Sequence, residues 1–160
     1  MRRTRPRPAG LDRLNRTEWV HQRFSPDELC PAPGQGALAI ETRSETHSLN
    51  ESRDAYIRQA VAFLDHPETR FCVEAERITL DALGGGCNLP IGAHCVPEYE
   101  KWRMYAQVVA PDGDTVIQLD TEATLDTDPQ TLGLWVAHDL KSKGAIDLLK
   151  ESPTVPSSHS

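Results

Sequence analysis

The run WRMYAQVVAPDGDTVIQLDTEAT, residues 102–124, constrains the fold of this chain more than any other stretch. Two β-prone segments flank PDGD, where Pro presets φ, Asp bonds back to nearby backbone and Gly tolerates positive φ. The pattern predicts a long antiparallel pair, which is only marginally stable until a third strand or a helix covers one face. LPIGAHCV (89–96) supplies further β character. Helices come from DHPETRFCVEAERITLDALGGG (65–86) and DPQTLGLWVAHDL (128–140). In the first, Phe71, Ala75, Ile78 and Ala82 recur at helical spacing with Cys72 and Leu83 beside them. Asp65 and Glu68 stand at capping-box spacing, Pro67 suits a first turn, and Gly84 stops the helix. In the second, Leu132, Trp135, Val136, His138 and Leu140 form the periodic set, ending near Lys143–Gly144. AIDLLK (145–150) adds a short helical turn. Residues 63–150 therefore predict an α+β layer: a small antiparallel three-stranded sheet with helices on one face.

Residues 1–62 read differently. LDRLNRTEWVHQRF (11–24) places Leu11, Leu14, Trp19, Val20 and Phe24 at loosely helical spacing, and a Pro/Gly-rich loop, SPDELCPAPGQG (25–36), follows. ALAIETR (37–43) predicts a short strand, and DAYIRQAVAFL (54–64) a helix with Tyr56, Ile57, Ala60, Val61 and Leu64 on one stripe. One strand between helices has nothing to pair with, so this half predicts an incomplete unit that leaves apolar surface uncovered. The closing ESPTVPSSHS (151–160) reads as a disordered tail.

The net charge of −7 is unevenly spread, since residues 1–23 carry seven Arg against two acids while the remainder carries 10 basic and 22 acidic residues. A short basic arm without interleaved aromatics, ahead of a body that repels phosphate, argues against nucleic acid. No apolar run reaches the length of a membrane span, and MRRTRPRP lacks the apolar core of a secretory signal. Four cysteines at irregular intervals, Cys30, Cys72, Cys87 and Cys95, fit reduced cytoplasmic thiols better than a disulfide framework.

Chemistry concentrates in LGGGCNLPIG (83–92), where three glycines precede Cys87. A thiol just past a helix C-terminus gains no dipole assistance toward the thiolate. What it gains is access, and on local grounds a packed cysteine and a functional one stand equal. Cys87, His94 and Cys95 do not converge as metal ligands, because adjacent strand residues point to opposite faces. PAPGQGA (31–37) lacks the third glycine and βαβ setting of a dinucleotide site. Arg13 and Arg16 suit bidentate carboxylate binding, or plain solvation.

Four segments occur in order: AGLDRL (9–14), LCPAPGQGALAIETR (29–43), HPETRFCVEAERITLDALGGGCNLPIGAHC (66–95) and APDG (110–113). Together they resemble the C-terminal half of hydroxymethylbilane synthase (porphobilinogen deaminase), over roughly residues 9–150. That family joins four porphobilinogen molecules head to tail with release of ammonia, in tetrapyrrole biosynthesis. Growth starts on a dipyrromethane cofactor held by a thioether to a third-domain cysteine. The resemblance implies that Cys87 is this anchor, with Gly86 among the glycines that clear its path. It implies that Arg13 contacts acetate or propionate groups and that Gln35 lies near the active cleft; it assigns no role to Arg16 and no metal.

On this reading residues 1–36 are a remnant of the second domain, 37–62 the return strand of the first domain with a connecting helix, and 63–150 the cofactor-anchoring domain. The α/β first domain, which carries the aspartate that stabilises the cationic intermediate, has no counterpart here, so no residue of this chain is assigned as catalytic. The lead RRTRPRP replaces an apolar strand and suggests a truncated or frame-disrupted copy, or a mis-called start codon. The expected partners are porphobilinogen and the growing pyrrole chain, with the N-terminal domains supplied in trans and otherwise a monomer. The alternative is a non-catalytic third domain acting as a binding module.

Overall fold

The computed structural model describes residues 8–47, 49–85 and 89–150. Its centre is a three-stranded antiparallel sheet in the order β1 (Ile91–Glu98), β2 (Lys101–Val109), β3 (Val116–Thr124). Ala106 of β2 stands opposite Ala93 on one side and Leu119 on the other. Along β2 the side chains of Trp102, Met104, Ala106 and Val108 are all buried beneath the helices, and Gln107 on the opposite face is buried as well. The β2–β3 turn is the predicted one: Ala110 N–H donates to the Thr115 carbonyl at 2.8 Å, Asp114 N–H to Asp112 Oδ1 at 3.0 Å, and Gly113 sits at φ 84°.

Before the sheet come α1 (Pro8–Arg13), α2 (Glu51–Ala62) and α3 (Pro67–Ala82); after it come α4 (Pro129–Ser142) and α5 (Ala145–Lys150). In α4 the buried stripe is Leu132, Gly133, Val136, Ala137 and Leu140, and Trp135, expected in that stripe, is 56% exposed. In α3 the buried positions are Cys72, Ala75, Glu76 and Thr79. The two helices approach closely enough that a Cβ on Gly133 would stand 2.7 Å from the Ala75 carbonyl oxygen. Thr79 Oγ1 bridges the crossing, within 3.0 Å of the Ala75 carbonyl and 3.1 Å of the Gly133 carbonyl. Phe71 stacks on Trp102 at 3.8 Å between ring centroids, tying α3 to the sheet.

The start of α3 is capped by His66, whose Nδ1 accepts from Thr69 N–H at 3.3 Å, and not by Asp65. Pro67 occupies the first helical position and so makes residue 66 the cap. Asp65 pairs with Arg70 instead, at 2.7 Å.

Three further expectations are corrected. The helix over 11–24 is not continuous: α1 ends at Arg13, Asn15 takes φ 52°, and a 3₁₀ turn covers Thr17–Trp19. Leu11 is buried, but Leu14, Trp19 and Phe24 lie exposed, with no opposing layer to reward a helical stripe. Residues 37–43 form no strand, because an isolated strand leaves its backbone donors and acceptors without a ladder. The predicted stripe of α2 is likewise unpacked: Tyr56 is 71% exposed, and the one buried side chain of that helix is Asp54.

The loop at 27–36, read with the N-terminal segment in sequence, is bonded to the C-terminal unit. Cys30 N–H donates to Gln107 Oε1 at 3.0 Å, and Gln107 Nε2 reaches the Asp27 carbonyl at 3.3 Å. Ala93 N–H on the free edge of β1 donates to the Pro31 carbonyl at 2.9 Å. The loop thus covers an edge that would otherwise expose unpaired backbone groups. Gly92 permits this approach, since a Cβ there would fall 2.6 Å from the Cys30 carbonyl oxygen.

Candidate cofactor site

The stretch that carries the anchor cysteine hangs from the end of α3. Leu83 closes the helix, Gly84 (φ 115°) donates to the Asp81 carbonyl at 3.1 Å, and Gly85 (φ 56°) donates to the Leu80 carbonyl at 3.0 Å. This pair of bonds is a Schellman turn, and its left-handed residue is the reason for glycine at 84. A Cβ on Gly84 would meet nothing within 4 Å, so the space beside the turn is open. Beyond the turn the chain is fixed again: Leu89 packs on the core, Ile91 N–H donates to the Leu89 carbonyl at 2.8 Å, and Val109 N–H to the Pro90 carbonyl at 3.0 Å. Gly86 and Cys87 lie outside the described residues, as do the arginine-rich start and the tail.

The other predicted site residues occupy different places. Arg13, the last residue of α1, is exposed, and its guanidinium has no ion pair among the described residues. Gln35 sits in a turn in which its own Oε1 accepts from Ala32 N–H at 3.2 Å. That turn faces a cavity of about 370 Å³ shared with His66, Cys72, Glu76, His94 and Cys95. The cavity lies along the first half of α3. Gly84 follows Glu76 by eight residues, roughly 12 Å at the rise of an α-helix. Gln35 and the glycine turn are therefore at different ends of one helix.

Glu76 has a role that the sequence reading missed. It is 4% exposed, and its two oxygens divide between two segments: Oε1 accepts Cys95 N–H at 2.8 Å and Oε2 accepts Gly34 N–H at 2.6 Å. His94 Nδ1 stands 3.5 Å from Oε1. A buried carboxylate is tolerated only when such donors replace water. This one pins the GQG loop and the edge of β1 to α3. The signal was present in the sequence as an acid four residues after Cys72 and three before Thr79, on the stripe that the core claims.

The thiols differ in reactivity. Cys30 Sγ donates to the Tyr105 carbonyl at 3.4 Å, and burial, with Glu76 nearby, pushes its pKa up to about 12. Cys72 on α3 and Cys95 on β1 both belong to the core and line one cavity. The neighbouring Cys95 lowers the Cys72 thiol from its ordinary value, against burial and the charges of Glu76 and Glu68, and the same pairing, with burial, raises Cys95. No group of three or more His, Cys, Asp or Glu among the described residues is placed to hold a metal ion. No described helix is long and apolar enough to cross a membrane.

Comparison with known proteins matches both parts of the chain to one family. Residues 8–51 match the family model described as porphobilinogen deaminase, dipyromethane cofactor binding domain, and residues 70–142 match porphobilinogen deaminase, C-terminal domain. The porphobilinogen deaminase of Coxiella burnetii (strain Dugway 5J108-111) is 37% identical over 143 residues, covering 89% of this chain and 44% of the relative. That of Acidothermus cellulolyticus is 42% identical over 142 residues, covering 89% and 41%. That of Natranaerobius thermophilus is 35% identical over 146 residues, covering 89% and 44%. The chain spans less than half the length of these relatives. With both models drawn from one family and laid in order along it, this chain belongs to the porphobilinogen deaminase family.

Proposed function

We propose that this chain carries the cofactor-anchoring part of a hydroxymethylbilane synthase, with dipyrromethane bound through a thioether at Cys87. The observation that carries this reading is the Schellman turn at Gly84–Gly85, open beside Gly84 and two residues ahead of Cys87 in sequence. Glycine at 84 leaves open space beside the turn, which suits a flat, carboxylate-bearing pyrrole pair. When bound, the cofactor supplies the pyrrole end to which further porphobilinogen units are joined. The chain's own residues hold and orient. Cys87 gives the single covalent tether, Gly86 keeps its approach clear, and exposed Arg13 offers a guanidinium fork to acetate or propionate groups. Gln35, at the other end of α3, orders the GQG turn.

Acid–base work on the pyrrole nitrogen falls to an aspartate in the portion of the family that these residues do not span. The exposed Leu38, Ile40, Tyr56 and Phe63 favour such a companion surface. They equally suit a second reading, a binding module without turnover.

The test is peptide mass mapping after incubation with porphobilinogen. One sample contains the chain alone, and a second adds the unmatched N-terminal portion of the Coxiella burnetii relative. The expected result is a two-pyrrole adduct on Cys87 in the second sample, absent from Cys87→Ser, with ammonia released on further turnover. An adduct on another cysteine, or none in either sample, overturns the reading. An adduct without ammonia release beyond assembly selects the binding module.

A further inference from the structure

We propose that the cavity between residues 37–42, α2 and α3 is a binding site for a small amphipathic carboxylate, an apolar body with one charged end. The cavity has a volume of about 580 Å³, within the range of pockets that hold small ligands. It shares no lining residue with the Gly84–Gly85 turn.

Its three walls come from this chain and are bonded to one another. Gly34 N–H donates to Glu76 Oε2 at 2.6 Å, which seats the start of the 37–42 segment on α3. A Cβ on Gly34 would touch Val73 Cγ1 at 3.8 Å, so the loop lies against α3 there. Just past the other end of the segment, the Arg43 carbonyl accepts from Arg58 Nη1 at 3.1 Å, and Arg43 Nη1 stands 3.5 Å from Asp54 Oδ1. These two contacts tie the segment to α2. Residues 63–66 alone separate α2 from α3, which closes the frame.

The lining divides by chemistry. Ala37, Ile40, Val61 and Val73 supply apolar surface, and none of them belongs to the core cluster. On α3, Thr69, Val73 and Arg77 form a stripe at helical spacing, distinct from the buried stripe of Cys72, Ala75, Glu76 and Thr79. Three arginines, Arg58, Arg70 and Arg77, line the space against two acids, Asp65 and Glu74. Both acids pair with Arg70, at 2.7 and 3.7 Å. Arg58 and Arg77 make no ion pair among the described residues. Arg58 is half-buried and spends one of its N–H donors on the Arg43 carbonyl. A partly desolvated guanidinium without a carboxylate is costly, and an anion relieves that cost.

This is a positive site on a chain whose net charge is −7. A carboxylate bound at Arg58 and Arg77 leaves its body on the apolar surface beside them. A second copy docked through the same face would set these arginines against their own counterparts, which disfavours self-association there. Ile40 also belongs to the surface offered to a companion, so the test uses the chain alone and its outcome is independent of cofactor attachment.

The experiment titrates the full 160-residue chain with decanoate by calorimetry. Decanol supplies the same body without the charge, and acetate the charge without the body. The expected result is one-to-one saturation by decanoate and no binding by acetate at the same concentrations. Decanol should bind about tenfold more weakly or worse, the scale for losing a hydrogen bond to a charged group. Arg58→Gln and Arg77→Gln should each weaken decanoate by about tenfold and leave decanol unchanged. Ile40→Glu, in a segment with no packing to lose, should abolish saturation by decanoate. Urea midpoints equal to that of the unsubstituted chain show that each variant keeps its fold. Decanoate should also slow proteolytic cleavage within α2, because it joins three segments. Equal affinity for decanoate and decanol overturns the proposal, as does full binding by both arginine variants or by Ile40→Glu. So does the lack of saturation below the concentration at which decanoate forms micelles. Dimerisation that decanoate leaves unchanged would assign the face to a second copy and overturn it too.

Discussion

The halves of this chain use the same apolar residue types and arrive at opposite outcomes. Between α3 and α5, Met104, Leu132, Leu140, Val108 and Val136 are fully buried. From α1 through the residue that caps α2, Leu38 is 95% exposed, Leu49 83% and Phe63 80%. The difference lies in topology, not hydrophobicity. Two helices laid on three paired strands make two layers with a space between them, and side chains from both fill it. The earlier half has helices but no opposing layer, so its apolar stripes have nothing to lie against. The loop at 27–36 shows what a partner changes, because it is ordered where it finds backbone and carboxylate groups of the C-terminal unit.

The strongest way to break this comparison is substitution on each side of it. Leu132→Ala is expected to cost about 2–5 kcal/mol in urea-unfolding stability, whereas Leu38→Ala changes it by less than about 0.5 kcal/mol. Limited proteolysis of the unsubstituted chain should remove the first sixty or so residues ahead of any cut within 63–150. Similar effects at both positions, or even cleavage along the chain, would remove the distinction.

Glu76→Ala tests the bridge between the regions. It leaves the Gly34 and Cys95 N–H groups without their acceptor, at a cost of about 1–3 kcal/mol for each buried donor left unpaired. Hydrogen exchange at these two amides is the measurement, and Glu76→Gln should restore protection at one of them at least in part. Unchanged protection in Glu76→Ala would show that the loop is held by its other contacts.

A smaller effect concerns strain inside the well-packed half. The β1–β2 turn places Tyr99 at φ 48° and Glu100 at φ 60°, both in the left-handed region that side chains resist. The double substitution Tyr99→Asn, Glu100→Gly is expected to raise stability by roughly 1 kcal/mol, read as a higher urea midpoint. No gain would mean that Tyr99 or Glu100 makes offsetting contacts.

The smallest expected effect is acid sensitivity of the outer sheet face. Arg103 bonds both Asp120, at 2.7 Å, and Glu98, at 3.0 Å. Its hydrogen bond holds the Asp120 carboxyl below the usual aspartate value. A carboxyl depressed in the folded state contributes stability that is complete above its unfolded pKa and fades as pH falls through the folded one. The urea midpoint should therefore decline below about pH 4, and less steeply in Asp120→Asn. An identical slope in both proteins would assign the acid loss to other groups.

Much of the fold was legible because local rules and global packing agree over 63–150. PDGD marks a turn that the β2–β3 pair completes. Pro67 and Gly84 bracket α3 within a residue or so, and the α+β layer follows from the element order. Where a residue's role depends on a segment distant in sequence, local reading went astray. Residues 37–43 alternate like a strand, yet no partner strand stands beside them. The Leu14–Trp19–Phe24 stripe has helical spacing, and Asn15 breaks it. Gly84 stops α3, as its place after the periodic residues predicts, through a left-handed turn that also leaves open space beside it.

By itself the sequence determined the paired strands and flanking helices, the segments shared with porphobilinogen deaminases, and the position of the glycine-flanked Cys87. Periodicity, turn chemistry and ordered motifs are local properties, carried by residues within a few positions of one another. Only the tertiary structure decided that Glu76 joins the GQG loop to β1 and that Pro31 covers a sheet edge. These contacts join residues 19 to 62 positions apart, the first through a helix laid across a sheet and the second through a loop along the free edge of β1. No short-range pattern encodes that distance.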